Sequence, residues 1–171
     1  ASTIIWTGSK PTGSHSGNVS LTSGYLVLDH ENVVGGNFII DMTSISCTDI
    51  EDEGKNKYFV GHLKDEDFFD VEKFPKAELE ITGSKKTSDN NYLLEANMTI
   101  KGRTNKITFN SEIQTSGNSE TTGNSFTAIA KIVLDRTLWG VEYKSKNIFK
   151  NLGDKFIYDE MEFEIFLISE K

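Results

Sequence analysis

Apolar and polar residues alternate along most of the chain with a period of two, the pattern of extended strands that bury one face. In residues 37–44, Phe38, Ile40 and Met42 share one face and Asn37, Ile39, Asp41 and Thr43 the other. Successive side chains of a strand point to opposite sides, so the first set is expected to point inward. The rhythm returns at Ala77, Leu79 and Ile81 and again at Tyr92, Leu94, Ala96, Met98 and Ile100. These segments predict a hairpin whose connector, residues 83–91, reads GSKKTSDNN and is rich in turn formers. After a tight connection at residues 102–105 come Ile107, Phe109, Ser111 and Ile113. A polar linker, residues 115–125, leads to Phe126, Ala128, Ala130, Ile132 and Leu134, and the last strand carries Phe163, Ile165 and Leu167. Residues 3–7 and 19–28 add two strands, while Gly35-Gly36 reads as a turn between strand patterns.

The count is about eight strands, a number at which an antiparallel sheet closes into a barrel whose interior is filled by side chains or holds a small ligand. Closure also removes exposed edges. Residues 52–70 break the alternation: Tyr58, Phe59, Leu63, Phe68 and Phe69 sit among Lys, Asp and Glu. This predicts a helix followed by a turn, with Glu51, Asp52 and Glu53 favouring the helix N-terminus, where the backbone dipole is positive. Its aromatic side is placed to cap a barrel mouth. The expected fold is all-β, an antiparallel barrel with one or two short helices near a mouth, in one domain spanning residues 1–171.

Composition narrows the function. The 171 residues are 36% hydrophobic and include 11 Phe, which argues against disorder. Eighteen Lys and Arg against 26 Asp and Glu give a net charge of −8, a field that repels phosphate backbones, so nucleic acid is not an expected partner. No apolar run reaches the roughly 18 residues of a spanning helix, and stable membrane insertion is not expected. Cys47, the one cysteine, cannot form an internal disulfide and does not decide a compartment.

Catalytic and metal signatures are weak. His15, His30 and His62 are far apart and lack ligand spacing, so a zinc site would require assembly from distant segments, and structural or surface roles are expected for all three. In Gly13-Ser14-His15-Ser16-Gly17 a histidine stands where a nucleophile elbow needs serine. The carboxylates at residues 49–53 and 65–70 do not match a calcium loop. No catalytic residue, metal or cofactor is predicted.

The run Gly61-His62-Leu63-Lys64-Asp65-Glu66-Asp67-Phe68-Phe69-Asp70-Val71-Glu72-Lys73-Phe74-Pro75-Lys76-Ala77 is not explained by alternation, and it resembles the signature of the YceI-like family. It is joined in order by Gly13-x-His15-x-Gly17, Asp41-Met42-x-Ser44-Ile45, Thr99-Ile100-Lys101-Gly102-x-Thr104 and Leu134-Asp135-Arg136-x-x-Trp139-Gly140-Val141-x-Tyr143, so the resemblance spans nearly the whole chain. It departs at Asp65, where the family often has a small hydroxyl residue, and at Lys146, where glycine is common. The resemblance implies a lipocalin-like barrel, exported to the bacterial periplasm or outside, that binds polyisoprenoids or other long-chain amphiphiles without catalysis.

The lumen candidates are Phe38, Ile40, Met42, Phe59, Leu63, Leu79, Ile81, Leu94, Met98, Phe109, Phe126, Ile132, Trp139, Phe163 and Ile165. Alternation equally allows these to fill the barrel. His15 and Arg136, by their place in the motifs, are candidates for contact with a ligand headgroup. A buried guanidinium needs a partner, and a carboxylate such as Asp41 or Asp135 is expected to pair with Arg136. The leading expectation is binding, with transport or storage, of a polyisoprenoid, isoprenoid quinone or fatty-acid derivative. The alternatives are a stress-related interaction module with a solid barrel, including a homodimer, and, more weakly, an enzyme acting on lipids.

Overall fold

A computed structural model describes residues 1–116 and 125–169. Eight strands follow in chain order: β1 (Thr3–Lys10), β2 (Gly13–Asp29), β3 (Asn32–Asp41), β4 (Lys76–Ser88), β5 (Asn91–Ile100), β6 (Arg103–Ser116), β7 (Ser125–Asp135) and β8 (Glu160–Ile168). Each pairs antiparallel with the next, and β8 pairs with β1 to close the barrel. The expected all-β barrel of about eight strands is therefore present, with one α-helix, α1 (Glu53–Lys64), and 3-10 turns at Met42–Ser44 and Arg136–Trp139. Among the described residues no helix is long and apolar enough to cross a membrane.

Several boundaries differ from the sequence reading, each for a local reason. Most of the expected connector at residues 83–91 is strand, because Ser84, Lys85 and Lys86 pair with Leu94, Leu93 and Tyr92. Its polar side chains mark a solvated face, not a loop. Thr115 and Ser116 likewise pair with Phe126 and Ser125, and the rest of the expected polar linker lies outside the described residues. The strand expected over residues 37–44 ends at Asp41, whose carboxylate accepts the Thr43 N–H at 2.9 Å and caps the 3-10 turn that carries Met42.

Gly35-Gly36 is not a turn but lies inside β3, where Gly35 faces Val27 and Gly36 faces Leu26 of β2. A Cβ on Gly36 would stand 2.7 Å from the Tyr25 carbonyl oxygen. Glycine is required there by the close passage of β2, which carries a register shift between Val27 and Leu28.

The expected helix is α1. Asp52 caps it by accepting the Lys55 N–H at 2.8 Å, and Glu53 occupies the first turn, where the dipole favours negative charge. Beyond its last turn the chain folds back, with the Phe69 N–H donating to the Leu63 carbonyl and the Val71 N–H to that of Lys64. Phe59 and Leu63, four residues apart, occupy one side of α1, and Tyr58 is 76% exposed on another. Phe68 packs with His62 and with Tyr143, which follows the second 3-10 turn, at ring separations of 5.0 and 5.2 Å.

Candidate ligand cavity

The inward faces of the strands enclose an apolar cavity of about 330 Å³, within the size range of small-molecule sites. Its volume follows from residue size at particular levels of the wall. Ser111, Ala130 and Ile165 are cross-strand neighbours on β6, β7 and β8, and Ala128 lies two residues before Ala130. Two alanines and a serine leave unfilled the space that larger inward residues would close. The Ser111 hydroxyl costs little there, because it donates to the Ile129 carbonyl at 3.0 Å.

Polarity is distributed unevenly around this lining. Thr7, Ser9, Lys10, Ser14, His15 and Glu160 all line the cavity, and they come from the end of β1, the start of β2 and the start of β8. Phe59 and Leu63 of α1, with Phe68 and Phe69 behind them, complete the same end. At the opposite end Val33 and Tyr92 are buried outside the lining, and the Tyr92 hydroxyl donates to the Glu31 carbonyl at 3.2 Å, tying β5 to the β2–β3 turn. The cavity thus has one polar, helix-capped mouth and one stoppered apolar end.

Of the residues proposed from sequence, Phe38, Ile40 and Met42 line the cavity from β3 and the turn after it, and Leu79 and Ile81 from β4. Leu94 and Met98 line it from β5, Phe109 from β6, Ile132 from β7, and Phe163 and Ile165 from β8. Trp139 and Phe126 do not line it. Trp139 is 1% exposed in the second 3-10 turn, where its indole N–H donates to the Met98 carbonyl at 2.9 Å and ties that turn to the end of β5. Phe126 shares the inward face of β7 but sits one step beyond Ala128, at the rim of the stoppered end. The alternation was right for its face and silent about depth.

Arg136 lines the cavity and is 3% exposed. The expected partners Asp41 and Asp135 are both engaged elsewhere, each capping its own 3-10 turn through the Thr43 and Thr137 N–H groups. The guanidinium instead donates to the carbonyls of Val141, Tyr143, Ile157 and Tyr158 at 2.8–3.1 Å. That occupies all but one of its N–H groups, and the nearest carboxylate, Asp159, stands 3.7 Å away. Burial lowers its pKa, and the charges of Asp159 and Asp135 oppose that effect.

His15 pairs across β1 with Gly8, and its ring lies 4.7 Å from that of Phe59. Its Nδ1 is 2.9 Å from Asp49 Oδ2. The other Asp49 oxygen accepts from the Ser16 N–H and from the Cys47 thiol, each at 3.1 Å. Partial burial would raise the pKa of Asp49, but the bonds from Cys47, His15 and Ser16 outweigh it and bring the group down to about 2. Burial, followed by the carboxylate acceptor, pushes the Cys47 thiol up. Sequence reading did not bring Cys47 and Asp49 together with His15, because they lie more than 30 residues from it with no shared periodicity. His62 and His30 are bonded to Asp67 and Asp29, at 3.0 and 2.8 Å.

A closed antiparallel barrel around an apolar cavity, open to polar groups at one helix-capped mouth, defines the lipocalin-like class of barrel proteins. Residues 1–167 match the YceI-like domain, and the chain belongs to that family. Among solved structures, Burkholderia cenocepacia BcnA is similar at TM-score 0.75 and 18% identity, covering 99% of this chain and 96% of that one. The Campylobacter jejuni YceI protein is similar at TM-score 0.61 and 14% identity, covering 90% of this chain and 85% of that one. A polyisoprenoid-binding domain from Saccharophagus degradans, implicated in plant cell wall breakdown, is similar at TM-score 0.62 and 14% identity, covering 98% and 92%. No curated protein matches the sequence significantly.

Proposed function

We propose that the protein binds a long-chain apolar or amphiphilic molecule in the barrel, a polyisoprenoid, isoprenoid quinone or fatty-acid derivative, as a non-catalytic carrier or store. The observation that carries this reading is the cavity itself, apolar through its depth and polar at one mouth. A chain inserted there leaves water at roughly 0.8 kcal/mol per buried CH₂, which favours long tails over short ones. The tail points toward Val33 and Tyr92, and the head remains beside Lys10, Ser14, His15 and Glu160. Arg136 acts on this mouth by fixing the segment between β7 and β8, with its remaining N–H facing a headgroup. Membership of the YceI-like family and the likeness to a domain described as polyisoprenoid-binding support the ligand class. Export to the bacterial periplasm or beyond is part of the same proposal, on the strength of the family resemblance.

Native mass spectrometry of gently purified protein, followed by lipid extraction, tests the reading. An adduct lost on extraction and identified as a long-chain lipid is expected. Protein that carries no lipid and takes up no fluorescent fatty-acid or prenyl analogue would sink it.

A second reading rests on the outer wall. Ile129 and Phe166 are cross-strand neighbours on β7 and β8, 51% and 40% exposed, and Ile5 of β1 is 37% exposed. Such a strip suits association between copies, and sedimentation of wild type against Phe166→Ser distinguishes a dimer from a monomer.

A further inference from the structure

The cluster beside the mouth unites three side chains with different metal-ligating atoms. An imidazole nitrogen of His15, the Cys47 sulfur and an Asp49 oxygen all lie within 4.8 Å of one another. We propose that His15, Cys47 and Asp49 form a zinc-binding site at the edge of the barrel mouth, with water as the fourth ligand.

The donor set selects the metal. A thiolate, an imidazole and a carboxylate suit a borderline-soft, tetrahedral cation, and three protein ligands with one open position is a recurrent zinc arrangement. Calcium and magnesium, which require oxygen ligands, do not fit. The ion displaces the Cys47 thiol proton to solvent, while the neutral imidazole and the ionised carboxylate contribute lone pairs. Two positive charges then meet two negative ones, leaving a neutral centre in a place where Cys47 is only 8% exposed. A neutral complex avoids the cost of a buried net charge.

The backbone holds the ligands together before any ion arrives. The Ser46 N–H donates to the Asn18 carbonyl at 3.0 Å and the Thr48 N–H to that of Ser16 at 2.9 Å, so residues 46–48 run along β2 as an added ladder. The Trp6 indole N–H donates to the Ser46 carbonyl at 3.1 Å. Asn56 of α1 donates from its side-chain amide to the carbonyls of Cys47 and Ile50, at 3.0 and 2.9 Å. His15 belongs to the strand that this ladder follows. Little ordering is therefore left to oppose binding. Two of the three ligands, Cys47 and Asp49, lie outside the cavity lining, and only His15 is shared with the mouth, so zinc uptake is read separately from what fills the barrel.

The test uses the tag-free chain titrated with Zn²⁺ by calorimetry and with Co²⁺ by absorption. One equivalent of zinc and a thiolate-to-cobalt charge-transfer band are expected. Cys47→Ser should abolish the band and weaken zinc on the order of 100-fold, while Asp67→Asn should leave both unchanged. The latter variant tests the more exposed His62, Asp65 and Asp67 group, the other candidate among the described residues. If Cys47→Ser fails to fold, the wild-type protein still decides the matter, because bound zinc must slow alkylation of Cys47. No zinc uptake, uptake without the cobalt band or without thiol protection, or loss of binding in Asp67→Asn would overturn the assignment.

Discussion

Asp49 shows how a single side chain couples local geometry to pH. Its folded-state pKa, near 2, lies below the ordinary value of 3.8. Its contribution to stability is therefore complete above the unfolded value and disappears as pH falls from about 4 through about 2. In metal-free protein kept in chelator, the gap in urea midpoint between wild type and Asp49→Asn should narrow over that interval. A gap that stays constant there would contradict the assigned bonds. The carboxylate is about one-third exposed, so the gap should be modest. Arg136 should behave differently. Arg136→Met abandons four carbonyls and leaves Asp159 buried without its nearest cation, which should cost about 3–5 kcal/mol by urea denaturation. Sequence reasoning placed a buried guanidinium here and expected a carboxylate partner. A carboxylate is there, Asp159 at 3.7 Å, but four backbone carbonyls take the hydrogen bonds because the chain between β7 and β8 wraps around the side chain, and no spacing in the sequence encodes such a wrap.

At the level of elements, the period-two signal located the strands well and their ends poorly. It found Phe38, Ile40, Leu79, Ile81, Leu94 and Met98 on one face, because burial on one side of a sheet forces that alternation. It ended β4 too early, since Lys85, Lys86 and Thr87 resemble a turn when both faces are wet. The Gly13-x-His15-x-Gly17 motif acquires a physical meaning only in the folded molecule. A Cβ on Gly17 would fall 1.8 Å from the Ser46 carbonyl oxygen, a backbone atom also held by Trp6. Gly17→Ala should therefore destabilise the fold by about 3 kcal/mol and shift the emission of Trp6, as equilibrium unfolding with tryptophan fluorescence would show. An unchanged midpoint would mean that residues 46–48 are free to lift away from β2. The helix was legible for a different reason: acidic residues before a helical run and a break in alternation are both local signals, and α1 begins among them, capped by Asp52 with Glu53 as its first residue.

For the molecule as a whole, the sequence could not distinguish a hollow barrel from a solid one. The difference lies in Ser111, Ala128 and Ala130, small residues that alternate correctly but occupy too little volume. Filling the space at one of them separates folding from binding. Ala130→Leu should keep the barrel, cost no more than about 1–3 kcal/mol and reduce uptake of a fluorescent fatty-acid analogue at least ~10-fold. Calorimetry together with a binding titration would check both, and undiminished uptake would move the ligand out of the lumen. The order of strands around the wall has one further consequence. Seven of the eight seams join segments adjacent along the chain, whereas the β1–β8 seam joins Thr3 to Phe166. Forming that seam demands the largest loss of loop entropy, and nonlocal pairing slows folding. A circular permutant that fuses residues 2 and 169 through a short linker and opens the chain between Asp89 and Asn90 would make the seam local. The cut leaves β4–β5 as the one nonlocal seam in its place, so stopped-flow refolding should be no faster for the permutant than for the parent, with the ring complete in both.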